Sequence, residues 1–442
     1  MKNKKLSSYL CLASSLTLLS ACNPASSVTA ASTVTTETDV LLASLIAQNR
    51  IVSLPTVTAE TDAIVSLGEK LFSDVNLSGP KNISCMSCHS TSQGLGDGMP
   101  FSVGTGATGV GSARQQVNGV SSATSRNAPS LYNLGQTNQL HAFFDGRVSF
   151  INNVVTSPVT SINGSSPVRS DITLIFKNVF DIQPLFPLLS STEMLGTNNT
   201  LANISDSATI WDTILSQRLL NQTAYLNLFT NAYPTTATNR LNPGHIGRAI
   251  GAFMKSKFRS ANSPFDQYLA GNLNALSTNA KLGMVTFFTK GQCLRCHGTS
   301  NFTDDNFHSV ATPQIGLSPF TDDTGLYAQT GLSTDLYRFK TPSLRNLSLT
   351  SPYMHDGAFE TIEAVVEHYN NVSVSLQNYQ IPTSYQAHYQ TALIKDSSTS
   401  QNQIRLNQVD NGALRNGLNL TTTEKANLVE FLRFGLRDGT FN

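Results

Sequence analysis

Apolar residues recur at helical spacing in several separate stretches of the chain, with aperiodic polar segments between them. Leu67-Gly68-Glu69-Lys70-Leu71-Phe72 and Ala280-Lys281-Leu282-Gly283-Met284-Val285-Thr286-Phe287-Phe288 each repeat apolar positions three to four apart. Each also carries a glycine where a second helix could approach closely. Ser207 to Leu220 predicts a further helix, in which Trp211, Ile210 and Ile214 read as core anchors. Pro243 to Lys257 predicts another, with proline near its start. Thr361 to Tyr369 and Thr422 to Phe434 follow, the latter with caps among Thr421–Thr423 and Glu424 in its first turn. Residues 90–125 and 298–336 are rich in Gly, Ser, Thr and Asp and read as long loops. No strand series supports an all-β or doubly wound fold, and no solenoid repeat is visible. The pattern is that of a mainly α protein with long irregular loops.

The N-terminus changes the picture of where the protein works. Met1-Lys2-Asn3-Lys4-Lys5 is a positive region followed by an apolar stretch through Leu19. It ends in Leu19-Ser20-Ala21-Cys22, which resembles a bacterial lipoprotein signal over residues 1–21, with Cys22 as the lipidated mature N-terminus. An ordinary secretory signal with an incidental Cys22 is the alternative. Asn23 after the cysteine points to the outer membrane, and acyl chains would anchor a body facing the periplasm. Residues 22–58, rich in Ser, Thr, Ala and Val, read as a flexible tether.

Composition then narrows the function. The full chain has 29 Lys+Arg and 28 Asp+Glu; residues 1–21 hold three lysines and no acid, which leaves 26 basic against 28 acidic groups. A nucleic-acid binder would want a basic face, so that class is excluded. Charged residues make up 13%, against a usual figure of about 25%, which implies a polar but weakly charged surface. No apolar run after residue 21 approaches the ~20 residues of a membrane span. Membrane contact is expected through the lipid anchor only.

Four of the six cysteines form two copies of one motif: Cys85-Met86-Ser87-Cys88-His89 and Cys293-Leu294-Arg295-Cys296-His297. Cys11 lies in the signal and Cys22 at the lipid site. Cys-x-x-Cys-His is the attachment signature of c-type haem. Two thiols three positions apart on one helical turn can add to the two vinyl groups of one haem edge. The adjacent His89 or His297 then stands beneath the ring as iron ligand. Zinc would not require a histidine directly after each pair, a thioredoxin-like pair lacks β-α-β surroundings, and a disulfide of this spacing is strained. An exported location suits haem attached outside the cytoplasm.

The text around these motifs resembles the bacterial diheme cytochrome c peroxidase family, including its MauG branch. The resemblance runs from about residue 60 to 435. It is carried by Leu67-Gly-Glu-Lys-Leu-Phe72, Leu77-Ser-Gly79, Ser125-Arg-Asn-Ala-Pro-Ser-Leu-Tyr-Asn133 and Phe143-Phe-Asp-Gly-Arg147. Further along stand Ser263-Pro-Phe-Asp-Gln-Tyr-Leu269, Asn301-Phe-Thr-Asp304, Phe339-Lys-Thr-Pro-Ser-Leu-Arg-Asn346 and Thr350-Ser-Pro-Tyr-Met-His-Asp-Gly357. It implies two cytochrome c-like domains with one c-type haem each. The first, residues 59–270, would be peroxidatic and contain an insertion; the second, 271–442, would admit electrons.

The resemblance also implies residue roles. His89 becomes the proximal ligand of an open first haem. Glu193, in Glu193-Met194, becomes the distal acid/base that moves a proton between the peroxide oxygens; a helix-cap partner after Ser190-Ser191-Thr192 is the alternative. His297 becomes the proximal ligand of the second haem. Its distal ligand falls on Tyr369, fourteen residues after His355, with His368 or no ligand as alternatives. Tyrosinate favours ferric iron, whereas methionine raises the potential. A calcium ion is implied at Asn127, Thr350 and Pro352. His355 and Arg345 read either as groups near a haem propionate or as interface packing.

Three departures stand out against that family pattern. Phe144 replaces an inter-haem tryptophan and is harder to oxidise. The distal glutamine position falls on Val154, with Asn153 beside it. The loop from Ser90 to Arg126 has no histidine, so the first haem is expected to stay open, with Met99 as a lesser candidate ligand. The leading expectation is reduction of hydrogen peroxide to water at the first haem. Electrons would arrive through the second from a small donor protein, a cytochrome or cupredoxin. The alternatives are a MauG-like peroxide-dependent oxidase of a protein or organic substrate, and a non-catalytic electron-transfer lipoprotein. A homodimer is left open.

Overall fold

The computed structural model describes residues 36–117, 123–136, 138–410 and 412–441. The signal segment 1–21 and Cys22 lie outside them. The chain is mainly helical, with 44% helix against 8% strand.

The first element overturns part of the tether expected over residues 22–58. Helix α1, Glu37–Gln48, starts from Thr36, whose side chain and that of Asp39 cap each other's backbone N–H groups. Asp39 and Leu42 are buried, and Leu45 and Ile46 pack on the core beside them. That spacing is helical, but a buried acid stands where an apolar residue would have revealed it. Ile51, further along the expected tether, is also buried in the same core.

Helix α2, Asp62–Phe72, is capped by Thr61 and buries Val65, Leu67, Gly68, Leu71 and Phe72. It packs on the Pro243–Lys257 helix, which Asn242 caps with proline in its first turn. A Cβ on Gly68 would lie 2.0 Å from the Ala249 carbonyl oxygen. The helix leading into the second motif repeats this device. Thr278–Phe288 packs on Thr422–Glu430, and a Cβ on Gly283 would lie 1.9 Å from the Asn427 carbonyl oxygen. Glycine is thus required at both crossings, as the sequence pattern anticipates. Thr421 and Glu424 form the expected capping box. The Ser207–Leu220 and Thr422–Phe434 helices change hand-over midway, continuing as π-helix over Ile214–Leu220 and Phe431–Gly435.

Strands are few. β1 (His141–Ala142), β2 (Val148–Ile151) and β3 (Val154–Thr156) form an antiparallel sheet in that order. Ile151 pairs Val154 across Asn152-Asn153, whose φ values of 52° and 62° suit a two-residue hairpin.

Two large apolar cores result. One is built from residues between Val65 and Phe258, the other from residues between Phe265 and Leu436 together with Leu42 and Ile51. A third cluster joins Met99, Phe101 and Val103 to Ile315, Ala358, Phe359 and three tyrosines, Tyr379, Tyr385 and Tyr389. The residues from Thr36 onward therefore close into one compact unit. Among the described residues, no helix is long and apolar enough to cross a membrane.

Candidate functional site

The first motif opens on a cavity. Cys85–Cys88 is a single helical turn, α3, with Ser84 and Ser87 capping each other and His89 at its C-cap. Both thiols are free. His89 Nδ1 lies 2.8 Å from the Leu95 carbonyl oxygen, so Nδ1 carries the proton and Nε2 keeps its lone pair. Burial holds this imidazole below its ordinary pKa, and the Leu95 bond opposes that only in part. A neutral ring with one bonded nitrogen is the form an iron would take.

The cavity beside α3 has a volume of about 370 Å³. Phe72, Ile83, Leu131, Phe143, Ile250 and Met254 give it apolar walls, with Cys85, Cys88 and His89 on one side and Gln183, Pro187 and Glu193 among the rest. A c-type haem fits this donor set: paired thiols, an adjacent imidazole with a free Nε2, and an apolar slot. The carboxyl of Glu193 is pushed up by burial, while Arg147 pulls it back. Arg147 is held by Phe143, whose ring centroid lies 3.7 Å from its guanidinium carbon, and by Asp145 at 3.3 Å. Glu193, Cys85 and Cys88 line the same cavity. No helix begins after Ser190–Thr192, so the helix-cap alternative for Glu193 finds nothing to cap.

One expectation about this cavity is corrected. The glutamine position assigned to Val154, with Asn153 beside it, falls at the β2–β3 hairpin, away from the lining. Gln183 lines the cavity instead, and its buried Oε1 has no hydrogen-bond partner. Met99 is packed into the third apolar cluster and is not among the lining residues.

The second motif is arranged alike. His297 ends the Leu294–His297 turn, and its Nδ1 lies 2.7 Å from the Phe302 carbonyl oxygen. Cys293 and Cys296 are free thiols, and burial again keeps the imidazole below its ordinary pKa. Burial pushes the Tyr369 phenol well up, and the next influences on it are Cys296 and Cys293. Tyr369, Cys293 and Leu294 pack against the same apolar core, so Tyr369 lies near the second motif. Its neighbour His368 is fully buried, with Nε2 2.8 Å from the Val310 carbonyl oxygen and Nδ1 3.0 Å from Ser375 Oγ. Both ring nitrogens are engaged, which removes His368 as a free ligand. Cys296, Asp304 and His308 place donor atoms within 4.8 Å of one another. A thioether at Cys296 would take the thiolate out of that set.

Segments from the two halves of the chain meet near Phe144. It lines the first cavity, and its carbonyl accepts the Lys340 N–H at 2.8 Å. Asp305 accepts from the Leu140 and His141 N–H groups at 2.7 and 3.0 Å and pairs with Lys340 at 3.0 Å. Arg126 bridges Asp145 at 2.7 Å and Asp323 at 2.5 Å. Arg345, fully buried, clasps Asp266 through both guanidinium nitrogens at 2.8 Å and donates to the Ser300 carbonyl. His355 stacks on Phe339 with centroids 3.6 Å apart, and its carbonyl accepts the Asn127 N–H at 2.8 Å. Asn127 also donates to the Met99 carbonyl at 2.7 Å, and Thr350 Oγ1 donates to the Leu347 carbonyl at 3.1 Å.

Known proteins resemble this chain in sequence and in fold. The family model for di-haem cytochrome c peroxidase matches residues 62–274. The chain is 29% identical over 306 residues to the methylamine utilization protein MauG of Methylorubrum extorquens, covering 69% of this chain and 68% of that one. It is 26% identical over 314 residues to the cytochrome c551 peroxidase of Pseudomonas aeruginosa, covering 70% and 72%. Among solved structures, a MauG-like protein associated with microbial copper homeostasis superposes with a TM-score of 0.58 at 24% identity, covering 88% of this chain and 94% of that one. The diheme peroxidase BthA of Burkholderia thailandensis gives 0.56 at 19%, covering 87% and 88%. These structures share the fold.

Proposed function

We propose that this chain, an oxidoreductase of the di-haem cytochrome c peroxidase type, reduces hydrogen peroxide to water in the cavity beside His89, with electrons entering at the His297 site. The observation that carries the reading is the pairing of Glu193 and Gln183 with an open cavity on the Cys85–Cys88 turn. Cys85, Cys88 and His89 would hold one c-type haem, and Cys293, Cys296, His297 and Tyr369 the other. Bound there, the haem iron supplies the redox centre to which peroxide binds. Two electrons and two protons convert one peroxide to two waters.

The chain's own residues handle the protons. Glu193 takes a proton from one peroxide oxygen and returns it to the other, making water the leaving group. Burial favours its protonated form and raises its pKa, and Arg147 opposes this by favouring the ionised form. Gln183 lines the same cavity, and its amide would orient peroxide or a water. The apolar walls exclude bulk water from the exchange. Asn127, Thr350 and Pro352 would hold calcium where the 97–101 and 350–357 segments meet. The periplasm is the proposed compartment, with Cys22 as lipid anchor and a small cytochrome or cupredoxin as donor.

Tyr369, packed on the same core as Cys293, favours a second reading, a MauG-like oxidase that uses peroxide on a protein or organic substrate. Steady-state peroxide consumption by the holoprotein with a reduced cytochrome tests the first. Rapid turnover supports it. A single peroxide-dependent oxidation that persists without a donor supports the second. Absence of both, with two low-spin haems, overturns both and leaves an electron carrier.

A further inference from the structure

The wall of the first cavity is fastened by one buried side chain. Arg114 is 1% exposed, in the middle of a loop that has little regular structure of its own. Its Nε donates to the Val103 carbonyl at 2.5 Å, Nη2 to the Gly104 carbonyl at 2.5 Å, and Nη1 to the Gly109 carbonyl at 3.0 Å. One planar cation thus satisfies three carbonyls that no helix or sheet would otherwise serve.

The backbone so held is the backbone against which Glu193 rests. Thr105 N–H donates to the Glu193 carbonyl at 3.0 Å. A Cβ on Gly104 would lie 1.8 Å from the Thr192 carbonyl oxygen and 2.9 Å from that of Glu193. On the far side, a Cβ on Gly196 would meet Thr105 Oγ1 at 2.8 Å. Gly79 N–H holds the Met194 carbonyl at 2.8 Å. The turn carrying Glu193 is therefore clamped between residues 104–105 and Gly79, and Ser102 and Gly104 line the same cavity.

We infer that Arg114 is a positioning residue for Glu193: its guanidinium sets residues 103–105, and these set where the Glu193 carboxyl stands in the cavity. This rests on the acid/base reading of Glu193. A group that relays a proton between two oxygens tolerates little displacement, and an error of about 1 Å can cost on the order of a hundredfold in rate. Lysine cannot replace Arg114, because a single ammonium does not span three carbonyls in one plane.

The test is a double-mutant cycle on the ferric holoprotein, with the rate of reaction with hydrogen peroxide read by stopped flow. Arg114→Lys and Gly104→Ala are each expected to slow the reaction about tenfold or more. Haem content and the high-spin signal of the first haem should remain. Neither substitution should slow Glu193→Gln further, because the group being positioned is already disabled. If the losses add in full, Arg114 acts independently of Glu193 and the inference falls. Wild-type rates in both single variants sink it too. A wild-type rate in Glu193→Gln defeats the acid/base reading as well, and is recognised without reference to Arg114. If Arg114→Lys fails to accumulate, Gly104→Ala decides instead, since its Cβ forces the backbone that the guanidinium holds away from residues 192–193.

Discussion

The Asp39 carboxylate meets the Lys281 ammonium at 2.7 Å, joining helix α1 to the helix that leads into the second Cys-x-x-Cys-His. Tyr268 O–H adds a bond to the same carboxylate at 2.9 Å, and Thr36 caps it from its own side. Burial works to raise the Asp39 pKa, but Lys281, Thr36 and Tyr268 together hold it well below the usual carboxylate range. A depressed carboxylate contributes stability above its unfolded pKa near 4 and loses it only in stronger acid. The docked helix should therefore survive mild acid. Asp39→Asn leaves Lys281 buried without its counter-charge, at a cost of about 3 kcal/mol. Hydrogen exchange should show lost protection over residues 37–48 with the rest of the chain unchanged. Unaltered protection there would mean that Leu42 and its apolar neighbours suffice.

Gln183 should separate stability from activity. Its Oε1 is buried and unpaired, a condition that costs the fold on the order of 1–3 kcal/mol. Gln183→Leu is expected to melt at the same temperature as the parent or higher, and to react with peroxide about tenfold more slowly. A destabilised but fully active variant would assign Gln183 to packing.

Tyr369→Phe removes the one oxygen expected on the second iron. His368 cannot move in, since Val310 and Ser375 occupy both its nitrogens. EPR of the ferric protein should show the second haem change from low spin to high spin. An unchanged low-spin signal would exclude Tyr369 as ligand.

Asp356 gives the fold a pH dependence. It is 1% exposed, and burial raises its carboxyl to about 8, although the Ile315 and Ala358 N–H groups donate to it at 3.2 Å. The unfolded chain releases this proton near pH 4. Between pH 4 and 8 the folded form therefore binds one proton more, and stability falls as pH rises through that window. Melting temperature should decline from pH 5 to 8 in the parent, and less steeply in Asp356→Asn. Parallel slopes would place the effect elsewhere.

Much of this was legible along the chain because it is local. The thiol spacing and adjacent histidines lie within one helical turn, and the caps at Thr61, Asn242 and Thr421 lie within a few residues of what they cap. Gly68 and Gly283 announced close crossings, though not the helices they cross. Helix α1 was hidden because its buried face includes Asp39, which looks like a surface residue until Lys281 and Tyr268 are seen beside it. Gln183 was hidden because only the closed fold places it on the wall of the first cavity.

By itself, the order of residues determined that two Cys-x-x-Cys-His turns exist, which side chains are proposed to ligate, and the mainly helical class. Contact between distant segments decided the rest: that Glu193 and Gln183 share a cavity with His89, that Tyr369 lies near the second motif while both ring nitrogens of His368 are engaged, and that Arg114 braces the wall. Covalent attachment and capping act across a few bonds and are written in spacing. The position of a loop depends on which distant carbonyls and charges it must satisfy, and that is settled only when the chain has closed on itself.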